Sequence, residues 1–374
     1  MDDTATTPRP RETERALPNL LLLLTLLGLA GCASLGPGAV TRDRFEYTSA
    51  VAESWKSQML LNLVKLRYGD TPVFLDVGQI VSGYTMQSTF SAVGNIFSTS
   101  GVVPGVPSSS IGLGAQGQFI DRPTITYTPL MGERFARSMM MPVPPVTLLS
   151  LVQSGNPADL VFRLLVNTVN GIDNRQGGDF RARLADPEFY VLLERLRRIQ
   201  LSGAIGMRVR RVDREEAVLM TFRQKMDPSV EADVVALRQL LGLDPDSREF
   251  RVVYGAVAAN DKEIAILTRS VQEILVNLSS FITVPEAHVA DRRVSASLAP
   301  EVAPSGPISP LIRIASSPDR PADAFVAVPY RDHWFWIDDR DLPSKRLFSF
   351  LMLIFTLVEP GGKDAPPVLT IPAG

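Results

Sequence analysis

Residues 186–222, DPEFYVLLERLRRIQLSGAIGMRVRRVDREEAVLMTF, carry two hydrophobic periods in succession. In 186–201 the apolar residues Phe189, Leu192, Leu193, Leu196 and Ile199 recur every three or four positions, the stripe of an amphipathic helix. The period then drops to two in 207–212 and 217–222, around a charged turn at 213–216, and this predicts a β-hairpin. A further helical pattern over 229–241 and a strand over 250–256 complete one unit. The fold class expected is therefore α+β, with antiparallel or mixed sheet segments and amphipathic helices packed on them.

Toward the C-terminus, residues 262–282 give a long helical pattern through Ile266, Val271, Ile274, Leu275 and Leu278. Residues 295–323 carry Pro300, Pro304, Pro307, Pro310, Pro318 and Pro321, the composition of a linker or a surface-hugging loop. A hairpin (325–329 with 333–337), a helix (344–358) and a strand (368–371) are expected to follow. The run LFSFLMLIFTLV at 347–358 has twelve residues, well short of the roughly 20 that cross a bilayer, and reads as a core helix.

Toward the N-terminus, residues 159–169 fit a helix or a buried strand equally, and Asn170-Gly171 turns the chain. Short helices are expected at 145–153 and 129–141, separated by the Pro142-Val143-Pro144-Pro145 breaker. Alternation over 73–93 and again over 111–127 predicts a long hairpin with a flexible Gly/Ser-rich tip at 94–112. Before it, Val51, Trp55, Met59, Leu63 and Leu66, widened by Leu60, Leu61 and Val64, mark an amphipathic helix over 45–68. Two lobes are expected in all, a helix-plus-hairpin lobe at 43–175 and an α+β lobe at 176–374.

The beginning of the chain has a different character. Arg9, Arg11 and Arg15 precede an apolar run at 20–29 that ends in Leu29-Ala30-Gly31-Cys32. A cationic leader, a short apolar segment and small residues before a cleavage point are the parts of an export signal. Leu29-Ala30-Gly31-Cys32 resembles the lipobox of bacterial lipoproteins. That resemblance implies cleavage after residue 31, acylation of Cys32 by fatty acids of the palmitate type, and a lipidated tether over 32–42. Ala33, in place of an aspartate, implies passage to the outer membrane, with the protein facing the periplasm. Cys32 is the only cysteine, so no disulfide lies within the chain and the body must be held by its core. Segments 60–83, 127–135 and 334–353 are similar to those of uncharacterised proteobacterial envelope lipoproteins, a likeness that implies no activity.

Composition narrows the chemistry. A formal charge of −2 over 374 residues argues against nucleic acid as a partner. The only histidines are His288 and His333, which restricts general-base catalysis and metal binding. His333 lies among aspartates and tryptophans and invites a general-base reading, yet no Gly-x-Ser-x-Gly is present to supply a nucleophile. His288 reads as a surface residue. Asp338-Asp339-Arg340-Asp341 lacks the spacing of a calcium loop, and Asp341 with Ser344 reads as a helix cap. No catalytic residue, cofactor or metal site is expected. Residues 175–214 hold ten arginines against five acidic residues, and Arg195, Arg198, Arg208 and Arg210 form a candidate face for anionic lipid headgroups or an acidic partner.

These readings point to a membrane-anchored envelope lipoprotein without enzymatic activity, acting as a scaffold, assembly or export-accessory component through a protein partner or self-association. The hairpin supports an alternative, an oligomeric membrane-inserting protein. A second alternative is an envelope hydrolase built around His333.

Overall fold

In the computed structural model, which describes residues 37–81, 84–96, 109–121, 124–178, 182–212, 215–297, 300–358 and 369–372, the chain divides into units 1–56 and 57–374. The described part of the first unit is helical. Helix α1 (Pro37–Arg67) opens on a proline, whose missing N–H needs no partner at the first helical position. The tether expected over 32–42 is therefore corrected, because residues 37–42 belong to this helix. The signal sequence and Cys32 lie outside the described residues.

In the second unit the chain leaves α1 at Gly69, with φ of 73°, and enters the long hairpin. Its four segments are β1 (Phe74–Val81), β2 (Tyr84–Ile96), β3 (Ser109–Asp121) and β4 (Thr124–Leu130). Antiparallel pairing joins β1 to β4 and β2 to β3. Two amide side chains one turn apart on α1 act as a surrogate strand for the start of β1. Asn62 donates to the Val73 carbonyl at 2.7 Å and accepts from its N–H at 3.0 Å, while Gln58 donates to the Leu75 carbonyl at 2.8 Å and accepts from the Leu75 N–H.

Helices α2 (Glu133–Met140) and α3 (Pro145–Gln153) flank the proline breaker. The ambiguous stretch after them is both of its alternatives in turn, since α4 (Ala158–Leu165) runs directly into the fully buried β5 (Val166–Val169). Asn170 and Gly171, with φ of 45° and 83°, turn the chain tightly into β6 (Ile172–Asp173). Then come α5 (Pro187–Leu201), β7 (Ile205–Val212), β8 (Glu215–Phe222), α6 (Pro228–Leu241), β9 (Glu249–Tyr254) and β10 (Glu263–Thr268). These strands form a six-stranded sheet in the order β6-β5-β10-β9-β8-β7, mixed because β9 and β10 run parallel. All five apolar residues expected on the inner face of α5 are buried. The lobe boundary expected at 175/176 does not divide this sheet, whose β5 pairs with β10 across it.

The helix expected over 262–282 is also corrected. Its first part is β10, followed by α7 (Val271–Ser279). The break falls at Ser270, where a capping box forms. Ser270 Oγ accepts from the Glu273 N–H at 3.2 Å, and the Glu273 carboxylate accepts from the Ser270 N–H at 2.8 Å. Ile264, Ala265 and Ile266 are contiguous and buried, a pattern compatible with either period. At the same junction Arg269 is buried within the fold. It donates to Asn167 Oδ1 at 2.9 Å and to the carbonyls of Arg163 at 2.9 Å, Leu164 at 3.2 Å and Arg175.

After α8 (Glu286–Ala290) come the short strands β11 (Val302–Ala303), β12 (Gly306–Pro307) and β13 (Ala315–Ser317). The proline-rich stretch is thus a strap rather than a linker, since Ala303, Leu311, Ile312 and Ile314 are buried in the core. Strands β14 (Ala324–Tyr330) and β15 (His333–Asp338) form the expected hairpin, and β13 extends it to three strands in the order β13-β15-β14. Helix α9 (Leu342–Val358) is the core helix foreseen, burying Leu347, Phe348, Leu351, Ile354 and Phe355, each worth about 1.5–3 kcal/mol. Asp341 caps it by accepting from the Ser344 N–H at 3.2 Å and its hydroxyl at 2.8 Å. Strand β16 (Leu369–Pro372) adds to β4, giving the order β1-β4-β16. Among the described residues no helix is long and apolar enough to cross a membrane.

Candidate functional site

The ribbon formed by β2 and β3 is set apart by its pairing. Each strand has 13 residues, paired without a break from Tyr84↔Asp121 to Ile96↔Ser109. Among the described strands these two pair only with each other. The register sorts the residues into two faces. By parity one set is Tyr84, Met86, Ser88, Phe90, Ala92, Gly94 and Ile96 with Asp121, Phe119, Gly117, Ala115, Leu113, Ile111 and Ser109. The other set is Thr85, Gln87, Thr89, Ser91, Val93 and Asn95 with Ile120, Gln118, Gln116, Gly114, Gly112 and Ser110, mostly uncharged polar or glycine. Asp121, at the base, is the only charged residue in either strand. The Gly/Ser-rich tip between them, 97–108, lies outside the described residues.

The candidate arginine face is divided. Arg195 donates to Asp233 Oδ1 at 2.6 Å, and Arg198 grips the same carboxylate with two bonds, at 2.7 and 2.8 Å. The hydrogen bond from Arg198, ahead of that from Arg195, holds the Asp233 carboxyl below the usual carboxylate range. These two arginines therefore tie α5 to α6, where the sequence suggested an open face. Arg208 is exposed on β7 and lines a depression of about 560 Å³ with Arg223 and Arg248. The Arg210 side chain lies outside what the structure describes.

The histidines, 45 positions apart, come together. Their rings meet edge to face with centroids 4.9 Å apart. His288 is buried, not on the surface as expected, and its Nδ1 lies 2.7 Å from the Tyr68 hydroxyl. Burial first, then His333, Arg293 and Arg331, push the His288 pKa down, while burial pushes that of Tyr68 up. Which of the two donates in this hydrogen bond is set by the tautomer of the His288 imidazole. Next to them the β14–β15 turn places Arg331 and Asp332 at φ of 47° and 64°, a left-handed pair with no glycine. Arg331 is exposed, with its guanidinium 5.1 Å from the centre of the Tyr68 ring and 3.2 Å from Asp70. Tyr330 also donates to Asp70, and this bond is the largest cause of that carboxyl's lowered pKa.

His333 Nδ1 is buried without a hydrogen-bond partner. Neither aspartate near it in sequence bonds to it, so the pair of groups a general base would need is not assembled. Nor, among the described residues, do three His, Cys, Asp or Glu side chains converge as a metal site would require. No spacing rule signals the meeting of Tyr68, His288 and His333, since they come from α1, α8 and β15. No protein-family model, curated protein or solved structure matches this chain.

Proposed function

We propose that this protein is a non-enzymatic envelope lipoprotein, anchored through Cys32 to the outer membrane on its periplasmic side, that works by self-association of its β2–β3 ribbon. Copies align edge to edge, so that apolar faces meet lipid and uncharged polar faces enclose water. The observation that carries this reading is the ribbon's pairing, with 13 register pairs, one set of residues mainly apolar and the other mainly uncharged polar, and no third described strand at either edge. A two-stranded hairpin alone is marginal in water. Closing many such ribbons into a ring removes the edges that lipid cannot solvate. Strands of about 9–11 residues suffice to span a bilayer when tilted, and the alternation of apolar and polar faces is that of a membrane barrel wall.

The test uses the full chain extracted from envelopes in mild detergent. Light scattering should find oligomers, and the protein should release dye from phosphatidylethanolamine–phosphatidylglycerol vesicles. Phe90→Asp and Leu113→Asp, on the apolar face, should abolish both behaviours, and Gln116→Glu, on the polar face, should keep them. A protein that stays monomeric, or Phe90→Asp oligomers of unchanged size, would refute the ring. A second reading draws on the same edges, a partner protein adding its own strand to β2 or β3. It predicts a one-to-one complex with a copurifying protein in place of a homo-oligomer.

A further inference from the structure

The strongest unexplained chemistry in the body is a set of guanidinium groups around a cavity of about 200 Å³, between α4, the end of α7 and the proline-rich strap. Arg163 and Arg175 both line it. The Arg175 side chain is only 8% exposed, yet its hydrogen bonding is sparse. It lies 3.4 Å from Ser280 Oγ and 3.6 Å from Glu301, and its Nε has no partner. Its flat face rests 4.1 Å from the centre of the Phe281 ring. Arg163 makes one hydrogen bond, to the Ser309 carbonyl at 2.8 Å. Buried N–H donors are as a rule paired, and Arg175 Nε on this wall is buried without a partner. Burial lowers the pKa of both arginines, as it does when charge has been taken out of water.

Glu301 offsets Arg175 only in part, from 3.6 Å, because its two oxygens also accept from the Ala185 N–H at 2.9 Å and the Tyr190 hydroxyl at 2.7 Å. The wall thus holds two cations against one carboxylate, a balance suited to one further negative charge. Phe281, Pro300, Ile308 and Pro310 give the same cavity an apolar side. We propose that this cavity binds a small organic monocarboxylate, with its carboxylate on Arg163 and Arg175 and its apolar body against Phe281 and Ile308. A doubly charged phosphate is disfavoured there by the adjacent Glu301. The site is independent of the ribbon and of whether it assembles.

Isothermal titration of the full chain in detergent with benzoate, benzamide and inorganic phosphate tests the proposal. Benzamide keeps the shape and removes the charge. Benzoate should bind at millimolar concentration or better, and benzamide and phosphate should each bind at least about tenfold more weakly. Arg163→Gln should weaken benzoate by about tenfold and leave benzamide unchanged. Benzoate that fails to bind, that binds no better than benzamide, or that is outcompeted by phosphate overturns the assignment. So does undiminished benzoate binding by a folded Arg163→Gln protein. The ligand comparison stands on its own if that variant does not fold.

Discussion

The β2–β3 ribbon and the six-stranded sheet are built from the same kind of strand and differ in what covers them. In the sheet, β10 is buried along most of its length and β9 alternates, with Phe250 and Val252 facing the core, because helices of the same chain lie against it. The ribbon has one mainly apolar set of alternate residues and no strand but its own partner at either edge among the described residues. Alternation tells which residues share a face; it does not tell what the face meets. In the sheet the chain supplies the cover itself, and for the ribbon the cover proposed above is lipid or another chain. The two regions should therefore fail separately, one by unfolding and the other by losing assembly.

The largest effect on the sheet is expected at Arg269. Arg269→Met removes the donor from Asn167 Oδ1 and from the three carbonyls it ties together around α4, β5 and the Ser270 cap. Each buried acceptor left without a donor costs about 1–3 kcal/mol, so a loss of at least about 3 kcal/mol is expected in urea unfolding of the full chain. Phe90→Asp in the ribbon should leave the same urea midpoint where it is. An unmoved midpoint in Arg269→Met, or a large shift in Phe90→Asp, would break the contrast.

Asp233 supplies a smaller test, of whether the arginine-rich segment serves the body or a partner. Asp233→Asn leaves the Arg195 and Arg198 guanidinium groups without their carboxylate. Both arginines are partly solvated, which limits the cost to about 1 kcal/mol. Because the folded Asp233 pKa is depressed, its contribution is present above the unfolded value of about 4 and is lost as pH falls through the folded one. The variant should unfold at a lower urea concentration at pH 7 and should lose less stability than the wild type on acidification below about pH 4. Equal midpoints at pH 7 would return Arg195 and Arg198 to the list of groups free for a partner.

What could be read in advance divides along the same line. The helix at α5 and the hairpins β7–β8 and β14–β15 follow from local period and turn chemistry. The core role of α9 follows from its length. Three things do not follow from any local window. Residues 263–268 became a strand because a neighbouring strand, β9, was there to pair with and a capping box cut the helix at Ser270. The proline-rich strap became part of the core through single buried residues such as Ile312, with no period to announce them. Arg175 and Arg163, the cations of the cavity, stand close only because α4 leads through β5 and β6 back past its own end, and one of them counted merely as part of a positive run.

The least expected meeting, that of the two histidines, gives the smallest effect and the one that tests how tightly the body is closed. Burial and its cationic neighbours lower the His288 pKa, and its Nδ1 is hydrogen-bonded to the Tyr68 hydroxyl. Below the unfolded histidine pKa of about 6.5 the unfolded chain binds this proton more readily than the folded one. The stabilising contribution is therefore complete above about pH 6.5 and declines as pH falls toward the depressed folded value. Protonation would place a positive charge on the ring beside Arg331 and Arg293, with both ring nitrogens then donors. His288→Gln removes the titrating group, so its urea midpoint should fall less between pH 6.5 and pH 5 than that of the wild type. Carboxylates such as Asp233 contribute only at lower pH, which keeps the window clean. A wild type whose midpoint is flat across this range would mean that the ring pair is open enough to water to accept the proton at no cost to the fold.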